Sequence, residues 1–516
     1  MTSTPPKLLA SLSFDDVLLR PRQSDILTRT SVNLGCDLAC DKSGRSLYLH
    51  VPLIASPMDT VCEENMAIHM ALAGGLGIIH RFMSVDDQVR QVAAVKRYVN
   101  YVFRDPYTVK IDDTVADILT KRDMLGISTF CVLDSEGGFC GLITDRDLSS
   151  CVTDNTYATD IMTSVGDIYG IYLSVDEFGE YIADITGDKF ETFMTRALAI
   201  MNTHRVDKVP VLNSNSHSLL GLITKRCVQY YFNNRKTAAL DNHGRLRVGA
   251  AIGIRDGYLD HARRLIDAGV DLICVDVANG HNIHTITAVK SLRENFPELV
   301  IMAGNVCTGQ GAIDLAMAGA DCIRIGIGNG SICSTRLETG VGFGQWSSVN
   351  ECYDALCGVN SGVNSGVKLV CDGGSLGKTG NKMKAIASGA VAVMLGRTLA
   401  SCDESPGQVI IRNGKRMKYF RGMASTMANL SNQERATKRA KLDTKFTAEG
   451  VDGVIELKGS VYDLISQITG GLRSGFSYLG VITLDALHEL RKSGAIEWGQ
   501  STAIGMSETG IRVQTL

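Results

Sequence analysis

The segment AGADCIRIGI, residues 318–327, decides the fold because it joins the end of a helix to a buried strand. A helix that ends on Gly319 can use the left-handed conformation there, and the apolar run that follows is typical of a parallel strand. The same pattern occurs as AGVDLICVDV at 268–277 and as SGAVAVML at 388–395. This internal repeat of helix, glycine and strand predicts βα units around a parallel sheet.

Eight apolar runs of strand length recur along the chain, each followed by a helical pattern. They lie at 51–55, 75–79, 248–252, 272–277, 300–303, 322–327, 368–371 and 390–395. Eight such units predict a closed (β/α)8 TIM barrel, in which functional residues gather at the carboxyl ends of the strands. Turns between helices and strands also explain much of the glycine content, 53 Gly against 9 Pro in 516 residues.

Composition narrows the class of protein. The chain has 52 basic and 55 acidic residues, a net charge of −3, which argues against a nucleic-acid partner and against a polybasic membrane surface. It contains no apolar run of membrane-spanning length and no secretion-signal pattern near Met1. The 15 cysteines are therefore expected to be free thiols in a reducing compartment. We expect a cytoplasmic location, with a peroxisome-like organelle such as the glycosome as the alternative.

The βα pattern is interrupted between residues 101 and 232. Within this stretch FCVLDSEGGFCGLITDRDL at 130–148 is echoed by VPVLNSNSHSLLGLITKR at 209–226. Two copies of strand, turn, strand and helix resemble a tandem pair of cystathionine-β-synthase (CBS) modules. We therefore expect barrel segments at 1–100 and 233–516 to flank a regulatory domain at 101–232.

The CBS resemblance implies that the pair binds purine nucleotides as effectors. Thr144 and Asp147 of the first copy would hydrogen-bond a ribose. The corresponding segment of the second copy is Thr224, Lys225 and Arg226, whose two basic side chains would meet phosphate. The second copy lacks the aspartate, so an insertion that only mediates assembly is the alternative.

The most specific segment is RIGIGNGSICSTR, residues 324–336, directly after the sixth predicted strand. Its glycines allow backbone conformations that other residues avoid, and they let carbonyl groups converge on a cation or ligand. Cys333 lies among Gly, Ser, Thr and Arg residues, where a thiolate can be stabilised. Thr335 is placed to pass a proton to or from a bound substrate.

Four motifs together resemble the family that holds IMP dehydrogenase and GMP reductase. They are SFDDVLLRP at 13–21, ASPMDT at 55–60, the cysteine loop at 324–336 and DGG at 372–374. The resemblance covers essentially the whole chain. It implies that the barrel binds a purine mononucleotide (GMP or IMP), that Cys333 attacks C2 of the base, and that a nicotinamide exchanges hydride with that carbon. It also implies a homotetramer, which can stack into an octamer, and a monovalent cation (K+) on the carbonyls of Gly328, Gly330 and Cys333.

Substrate and cofactor residues are implied by their positions in the matched motifs. Asp372 would accept both ribose hydroxyls. The phosphate would be held by backbone N–H groups at helix starts. These are the N–H groups of Gly373, Gly374 and Gly396. The other substrate-binding residues implied are Ser56, Ser331, Arg397, Met423, Ser425 and Gly450. The cofactor-binding residues implied are Asp276, Val277, Ala278, Asn279, Gly326 and Ile327.

The two reactions of the family diverge once the cysteine has attacked the base. The dehydrogenase oxidises IMP to XMP with NAD and needs an activated water, which an Arg-Tyr pair on a flap supplies. The reductase displaces ammonia from GMP and needs only a proton for the leaving amine. In the flap expected at 422–450, Arg435 is followed by Ala436, and the segment has no tyrosine. The sequence thus favours an NADPH-dependent GMP reductase, with Glu449 and Thr335 as the proton relay.

Other features of the sequence favour either the reductase or the dehydrogenase. The segments DVANG at 276–280, MAGNV at 302–306 and DES at 403–405 are closer to reductases. The flap is long, as in dehydrogenases, and reductases of the family often lack the CBS insert. Asn329 stands where both relatives usually carry proline. IMP dehydrogenase is therefore the alternative, followed by a catalytically silent nucleotide-binding regulator.

Overall fold

The computed structural model divides the chain into two compact units. Residues 1–98, 237–241 and 246–516 form the barrel unit, and residues 99–236 and 242–245 form the insert unit. Within these units the structure describes residues 8–40, 46–98, 101–103, 106–127, 129–150, 153–166, 172–175, 188–234, 236–357, 366–428, 430 and 447–502. Across these described ranges, no helix combines the length and the apolar character that a membrane span requires.

The barrel unit contains a closed barrel of eight parallel strands, which confirms the predicted (β/α)8 fold. We number them β1 to β8: Leu53–Ala55, Leu76–Ile79, Gly249–Ile252, Leu272–Asp276, Val300–Val306, Cys322–Ile325, Lys368–Asp372 and Ala392–Leu395. Each strand pairs with its successor along the chain, and β8 pairs with β1 to close the barrel.

The strands form from continuous apolar runs that are buried on both faces. In β4 the four residues Leu272–Val275 are fully buried, as a parallel sheet covered by helices requires. The repeated glycines have the left-handed backbone that the sequence predicts, with φ of +92° at Gly269, +105° at Gly319 and +114° at Gly389. A Cβ atom at Gly389 would lie 2.1 Å from the ring of Tyr353, so close packing also requires glycine there.

Strand β6 is shorter than the sequence predicts, because it ends at Ile325 and not at residue 327. The next residue, Gly326, has φ of +139°, which turns the chain out of the sheet. The chain thus leaves the sheet two residues earlier than expected. Helices of the barrel unit span Glu64–Leu72, Val85–Tyr98, Tyr258–Asp267, Ile283–Asn295, Gly309–Met317, Thr335–Thr339, Gln345–Cys357, Thr379–Ala387, Arg397–Ala400, Val461–Leu479 and Leu484–Lys492.

Smaller sheets and turns complete the barrel unit. Strands Val17–Leu19 and Trp498–Gln500 pair antiparallel, as do Cys36–Cys40 and Ser46–Leu49. A three-stranded antiparallel sheet is formed by Val409–Arg412, Lys415–Arg421 and Asp452–Glu456. Short 3-10 helices lie at Phe14–Asp16 and Arg29–Ser31. The three-stranded sheet matters for the site, because its last two strands frame the expected flap.

The insert unit is built from two small sheets with their own helices. One sheet has strands Thr108–Lys110, Thr129–Leu133, Phe139–Thr144 and Thr163–Ser164, and the other has Leu173–Val175, Lys208–Asn213 and Leu219–Thr224. The helices are Val115–Leu125, Asp145–Ser149, Ala158–Ile161, Asp188–His204 and Lys225–Asn234. Cys131 and Leu142 of the first sheet pack with Leu212 and Leu222 of the second, so the two sequence copies share one core.

Candidate active site

A cavity of about 610 Å³ lies at the carboxyl ends of the barrel strands. This volume falls within the usual range of small-molecule sites, roughly 300–1,000 Å³. Every barrel residue predicted to bind substrate, cofactor or cation, or to act in catalysis, lines this cavity, except Asn279 and Ser425. The structure therefore brings together predicted residues from five strand ends and from both ends of the expected flap.

The cysteine loop leaves β6 through glycines with unusual backbone angles. Gly326 and Gly328 have φ of +139° and +71°, values that side-chain-bearing residues rarely adopt. The Cys333 N–H donates to the carbonyl of Gly330 at 3.2 Å, which closes the loop into a turn. Cys333 is partly buried, and a short helix begins two residues later at Thr335. The loop therefore holds Cys333 in the lining of the cavity on a defined turn.

A hydrogen-bonded relay starts at this thiol. Cys333 Sγ lies 3.2 Å from Thr335 Oγ1, and Thr335 Oγ1 donates to Glu449 Oε2 at 2.8 Å. A threonine hydroxyl has one proton to donate. Since that proton points to Glu449, the contact with Cys333 leaves the thiol as donor to Thr335. The geometry can therefore carry the thiol proton through Thr335 to the carboxylate.

Backbone pairing holds Glu449 against the cysteine loop. The Ser334 N–H donates to Glu449 O at 2.9 Å, and the Val451 N–H donates to Ile332 O at 3.0 Å. Cys333 and Gly450 thereby form an isolated antiparallel bridge. Main-chain hydrogen bonds thus hold together the two segments that carry the relay, which lie more than a hundred positions apart in the sequence. The flap residues Arg435 and Ala436 lie outside the described residues.

A buried arginine joins the strand-end aspartates. Arg324 donates through Nη1 to Asp276 at 2.6 Å and through Nε to Asp372 at 2.9 Å. Burial acts to raise the pKa of Asp276, but the Arg324 and Arg81 guanidinium groups outweigh it and hold that pKa below its ordinary value. Burial likewise acts to lower the pKa of Arg324, and the Asp372 and Asp276 carboxylates outweigh it and raise that pKa. The site therefore keeps the Asp276 carboxylate ionised beside a cation that also binds Asp372.

Several residues of this network were not among the predicted site residues. Asn305 Nδ2 donates to Asp372 Oδ2 at 3.0 Å and to Gly326 O at 2.7 Å. Gln345 Nε2 donates to the carbonyls of Ile325 and Asp372 at 2.7 and 3.1 Å. A sequence signal existed only for Arg324, a charged residue inside the otherwise apolar run of β6. The two amides look like ordinary polar residues in the sequence.

The predicted position of the glycines after β7 is wrong in one respect. Gly373 and Gly374 were expected at a helix start, but the next helix begins at Thr379, after an intervening turn. The N–H of Gly374 donates to Asn329 O at 3.1 Å, within the protein itself. The chain needs several residues to turn from the end of β7 to the helix axis, and the sequence pattern did not show them. Gly396 does directly precede a short helix, Arg397–Ala400.

Two predicted site residues lie away from the cavity lining. Ser425 is fully buried, and its hydroxyl donates to Asp452 Oδ1 at 2.7 Å and accepts the N–H of Ala428. The Asn279 side chain accepts the N–H of His281 at 3.1 Å, which fixes the turn after β4. Both side chains therefore stabilise the backbone next to the site. Asn279 and Ser425 are thus polar because they form a turn and a helix cap, respectively.

In the insert unit, the predicted nucleotide residues are engaged in local contacts. Asp147 accepts the Thr144 N–H and hydroxyl, both at 2.7 Å, as the cap of helix Asp145–Ser149. In the second copy Cys227 takes the place of that aspartate, 3.0 Å from the Thr224 hydroxyl. The basic pair of the second copy is held by an Asp207–Lys225 ion pair of 3.5 Å and by stacking of Arg226 on Tyr230.

Comparisons with known proteins cover nearly the whole chain. A family model described as the IMP dehydrogenase / GMP reductase domain matches residues 11–511. Inosine-5'-monophosphate dehydrogenase of Nitrosopumilus maritimus is 36% identical over 483 residues, 93% of this chain and 94% of that protein. GMP reductase of Leishmania donovani is 37% identical over 504 residues, 95% of this chain and 96% of that protein.

Solved structures are similar over the same length. A cysteine-to-alanine variant of GMP reductase from Trypanosoma brucei, in complex with guanosine 5'-monophosphate, matches with a TM-score of 0.82 and 33% identity. That match covers 98% of this chain and 99% of the other. GMP reductase from the same organism in complex with guanosine 5'-triphosphate matches with a TM-score of 0.72 and 30% identity. This match covers 96% of this chain and 99% of the other.

Proposed function

Because the chain belongs to the IMP dehydrogenase / GMP reductase family, we propose that it is a GMP reductase. The reaction would convert GMP to IMP and ammonia in purine nucleotide interconversion, with NADPH as the hydride donor. The relay from Cys333 through Thr335 to Glu449 is the observation that carries this proposal. It supplies both the nucleophile and the proton that the reaction requires.

The relay accounts for the first half of the reaction. As the Cys333 thiol loses its proton through Thr335 to Glu449, its sulfur attacks C2 of GMP. The C2–S bond forms, the bond from C2 to the exocyclic nitrogen breaks, and Glu449 returns the proton to the leaving amine. A thioimidate on Cys333 results, and ammonia leaves. General acid catalysis of this kind typically contributes about 10²–10⁴ in rate.

The second half needs a hydride, which NADPH supplies to C2 when it is bound. The C2–S bond then breaks, IMP is released, and the Cys333 sulfur takes a proton from water. The nicotinamide would lie against Val277, Ala278 and Gly326, which line the cavity together with Asp276. The nucleotide would lie across the cavity, with its ribose on Asp372 and its phosphate between the loop at 373–374 and Gly396. The turn from Gly330 to Cys333 would bring carbonyls together for the monovalent cation.

The choice of reductase over dehydrogenase rests on the flap sequence. Residues 422–450 contain no tyrosine, and Ala436 stands where the dehydrogenase resemblance expects one. A dehydrogenase needs an activated water to hydrolyse its cysteine adduct, whereas ammonia displacement does not. The T. brucei reductase with bound guanosine 5'-monophosphate supports the same choice, as a neighbour over almost the full length.

For the insert unit we propose a CBS pair that binds regulatory purine nucleotides. Its two sheets and their helices repeat the same order, and each copy has a threonine that caps the helix after its last long strand. A T. brucei relative in complex with guanosine 5'-triphosphate supports the binding of a purine nucleotide other than GMP in this family. The proposed assembly is a homotetramer that can form an octamer, with effector binding favouring one assembly or flap state.

A paired assay of the purified protein tests the proposed reaction. One arm contains GMP and NADPH, the other IMP and NAD, and nicotinamide absorbance is followed in both. We expect NADPH consumption with GMP and no NADH formation with IMP. Formation of NADH from IMP would instead identify a dehydrogenase, and inactivity in both arms together with retained nucleotide binding would indicate a silent regulator.

The variant Cys333→Ala tests the covalent step. We expect it to bind GMP but to lose measurable turnover, since no other group of the relay can form the C2 adduct. Cys357→Ala is the matched control, because Cys357 is an exposed cysteine at a helix end and should leave turnover unchanged. Turnover retained by Cys333→Ala would refute the covalent mechanism.

A further inference from the structure

Asn329 lies where the cysteine loop meets the loop after β7. Its Nδ2 donates to the side-chain oxygen of Gln345 and to the carbonyl of Asp372, the latter at 3.2 Å. Its own carbonyl accepts the Gly374 N–H at 3.1 Å. A side chain without an N–H group could make neither of the two side-chain bonds. The Asn329 amide is therefore a polar link between the two loops.

Gln345 is arranged to receive that link. It is 1% exposed, and its Nε2 donates to Ile325 O, Asp372 O and Cys371 Sγ. With Nε2 directed to these acceptors, the Oε1 atom faces the other way and needs a donor. Asn329 Nδ2 is that donor, so both polar atoms of the buried Gln345 amide are satisfied.

The surrounding backbone closes tightly around the Asn329 amide. A Cβ atom at Gly326 would lie 2.7 Å from Asn329 Nδ2, and one at Gly373 would lie 2.9 Å from Oδ1. Both glycines have positive φ, +139° and +81°. The amide thus occupies a space that exists only because the two strand ends carry glycine beside it.

We propose that Asn329 is a positioning residue that fixes the Cys333 loop relative to the loop at 372–374. Through Gln345 and the Asp372 carbonyl, it ties the start of the cysteine loop to the ends of β6 and β7. A nucleotide that binds residues 372–374 thereby finds Cys333 already placed against its base. This inference rests on the proposed function only in taking the 372–374 loop as the nucleotide-binding loop.

The variant Asn329→Asp tests the link with almost no change in shape. It replaces the Nδ2 donor by a carboxylate oxygen that faces the Gln345 and Asp372 oxygens. The readout is protection of Cys333 from iodoacetamide by GMP, followed by peptide mass spectrometry with the exposed Cys357 as internal reference. We expect the GMP concentration needed for half-protection to rise about tenfold, as for loss of one well-made hydrogen bond.

Two further variants serve as the control and as a second way to remove the Asn329 donor. Asn295→Asp is the matched control, because Asn295 Nδ2 makes a single exposed bond within its helix, and protection should not change. If Asn329→Asp does not fold, Asn329→Ala removes the same donor without adding charge. We also expect kcat to fall in the Asn329 variants at a temperature at which circular dichroism shows each variant to be folded.

Unchanged protection in both Asn329→Asp and Asn329→Ala would overturn the proposal. The test is independent of the reaction assigned above, because protection is measured without NADPH and is repeated with IMP. A protein that oxidises IMP would still show the tenfold loss of protection if Asn329 positions the loop. Failure of the proposed reaction and failure of the link are therefore separate results.

Discussion

Two buried cations of the barrel unit have opposite surroundings. Arg324 lies between two carboxylates, which outweigh the effect of burial and raise its pKa. Lys382, on the helix Thr379–Ala387, is fully buried, and its Nζ atom has no hydrogen-bond partner among the described residues. Burial lowers its pKa to about 8. Burial of Arg324 thus organises the site because two carboxylates balance its charge, whereas burial of the unpaired Lys382 ammonium costs stability.

The largest expected effect comes from removing the shared cation. In Arg324→Met, the Asp276 and Asp372 carboxylates lose their common partner inside the barrel, so we expect unfolding free energy to fall by about 3–5 kcal/mol. Nucleotide turnover should be lost together with it, since both predicted ligand-binding aspartates lose their orientation. Urea unfolding and the GMP assay measure the two effects.

The control for this change is Arg324→Lys, which keeps the charge but lacks the planar fork that reaches both carboxylates. Its stability and turnover should lie between those of the parent and Arg324→Met. A stable and active Arg324→Met variant would show that the aspartates do not depend on the shared cation.

The next effect concerns the relay. Glu449→Gln keeps the shape of the side chain, but the amide cannot take the thiol proton, so kcat with GMP should fall about 10²-fold or more. GMP binding should change little, because the fall concerns proton transfer. The control is Glu338→Gln, an exposed carboxylate on the helix that begins at Thr335. A parental kcat in Glu449→Gln would remove Glu449 from the mechanism.

The smallest expected effect is a gain in stability when Lys382, whose ammonium group is buried and unpaired, is replaced by methionine. Lys382 has a folded-state pKa of about 8 against an ordinary lysine value of 10.5, so the unfolded chain binds more protons between these values. The contribution of Lys382 to stability, measured as the difference between the parent protein and Lys382→Met, should therefore rise with pH from about 8 to 10.5. Lys382→Met should remove that rise and add about 2–3 kcal/mol at pH 7.

Lys384→Met on the same helix is the matched control. Lys384 Nζ donates to Phe14 O at 2.8 Å and to Asn381 Oδ1 at 3.1 Å, so its loss should destabilise the protein. Melting curves at pH 7 and pH 10 distinguish the two variants. A destabilised Lys382→Met would show that Lys382 has a stabilising partner after all.

The barrel was predictable because its signals are local. Buried strands are continuous apolar runs, and Gly269, Gly319 and Gly389 mark the helix ends before them. Cys333 was also evident, since its neighbours in the sequence are polar and small. Such features depend on a few adjacent residues, which a single sequence shows directly.

The network behind the cysteine was not predictable in the same way. Arg324 is 48 residues from each of its aspartates, and Asn305 is 67 residues from Asp372. Which strand ends meet, and which side chain bridges them, depends on barrel closure and register. Ser425 illustrates the converse: its place in a motif favoured a ligand contact, but the fold buries it against Asp452.

Transfer of deuterium from labelled NADPH tests the central claim most directly. The protein is given GMP and NADPH that carries deuterium at the transferred position, and the purine product and ammonia are analysed by mass spectrometry. We predict IMP with one deuterium at C2 and one ammonia released per IMP, both abolished by Cys333→Ala. Unchanged GMP in this experiment, with XMP formed when IMP and NAD are supplied instead, would contradict the account.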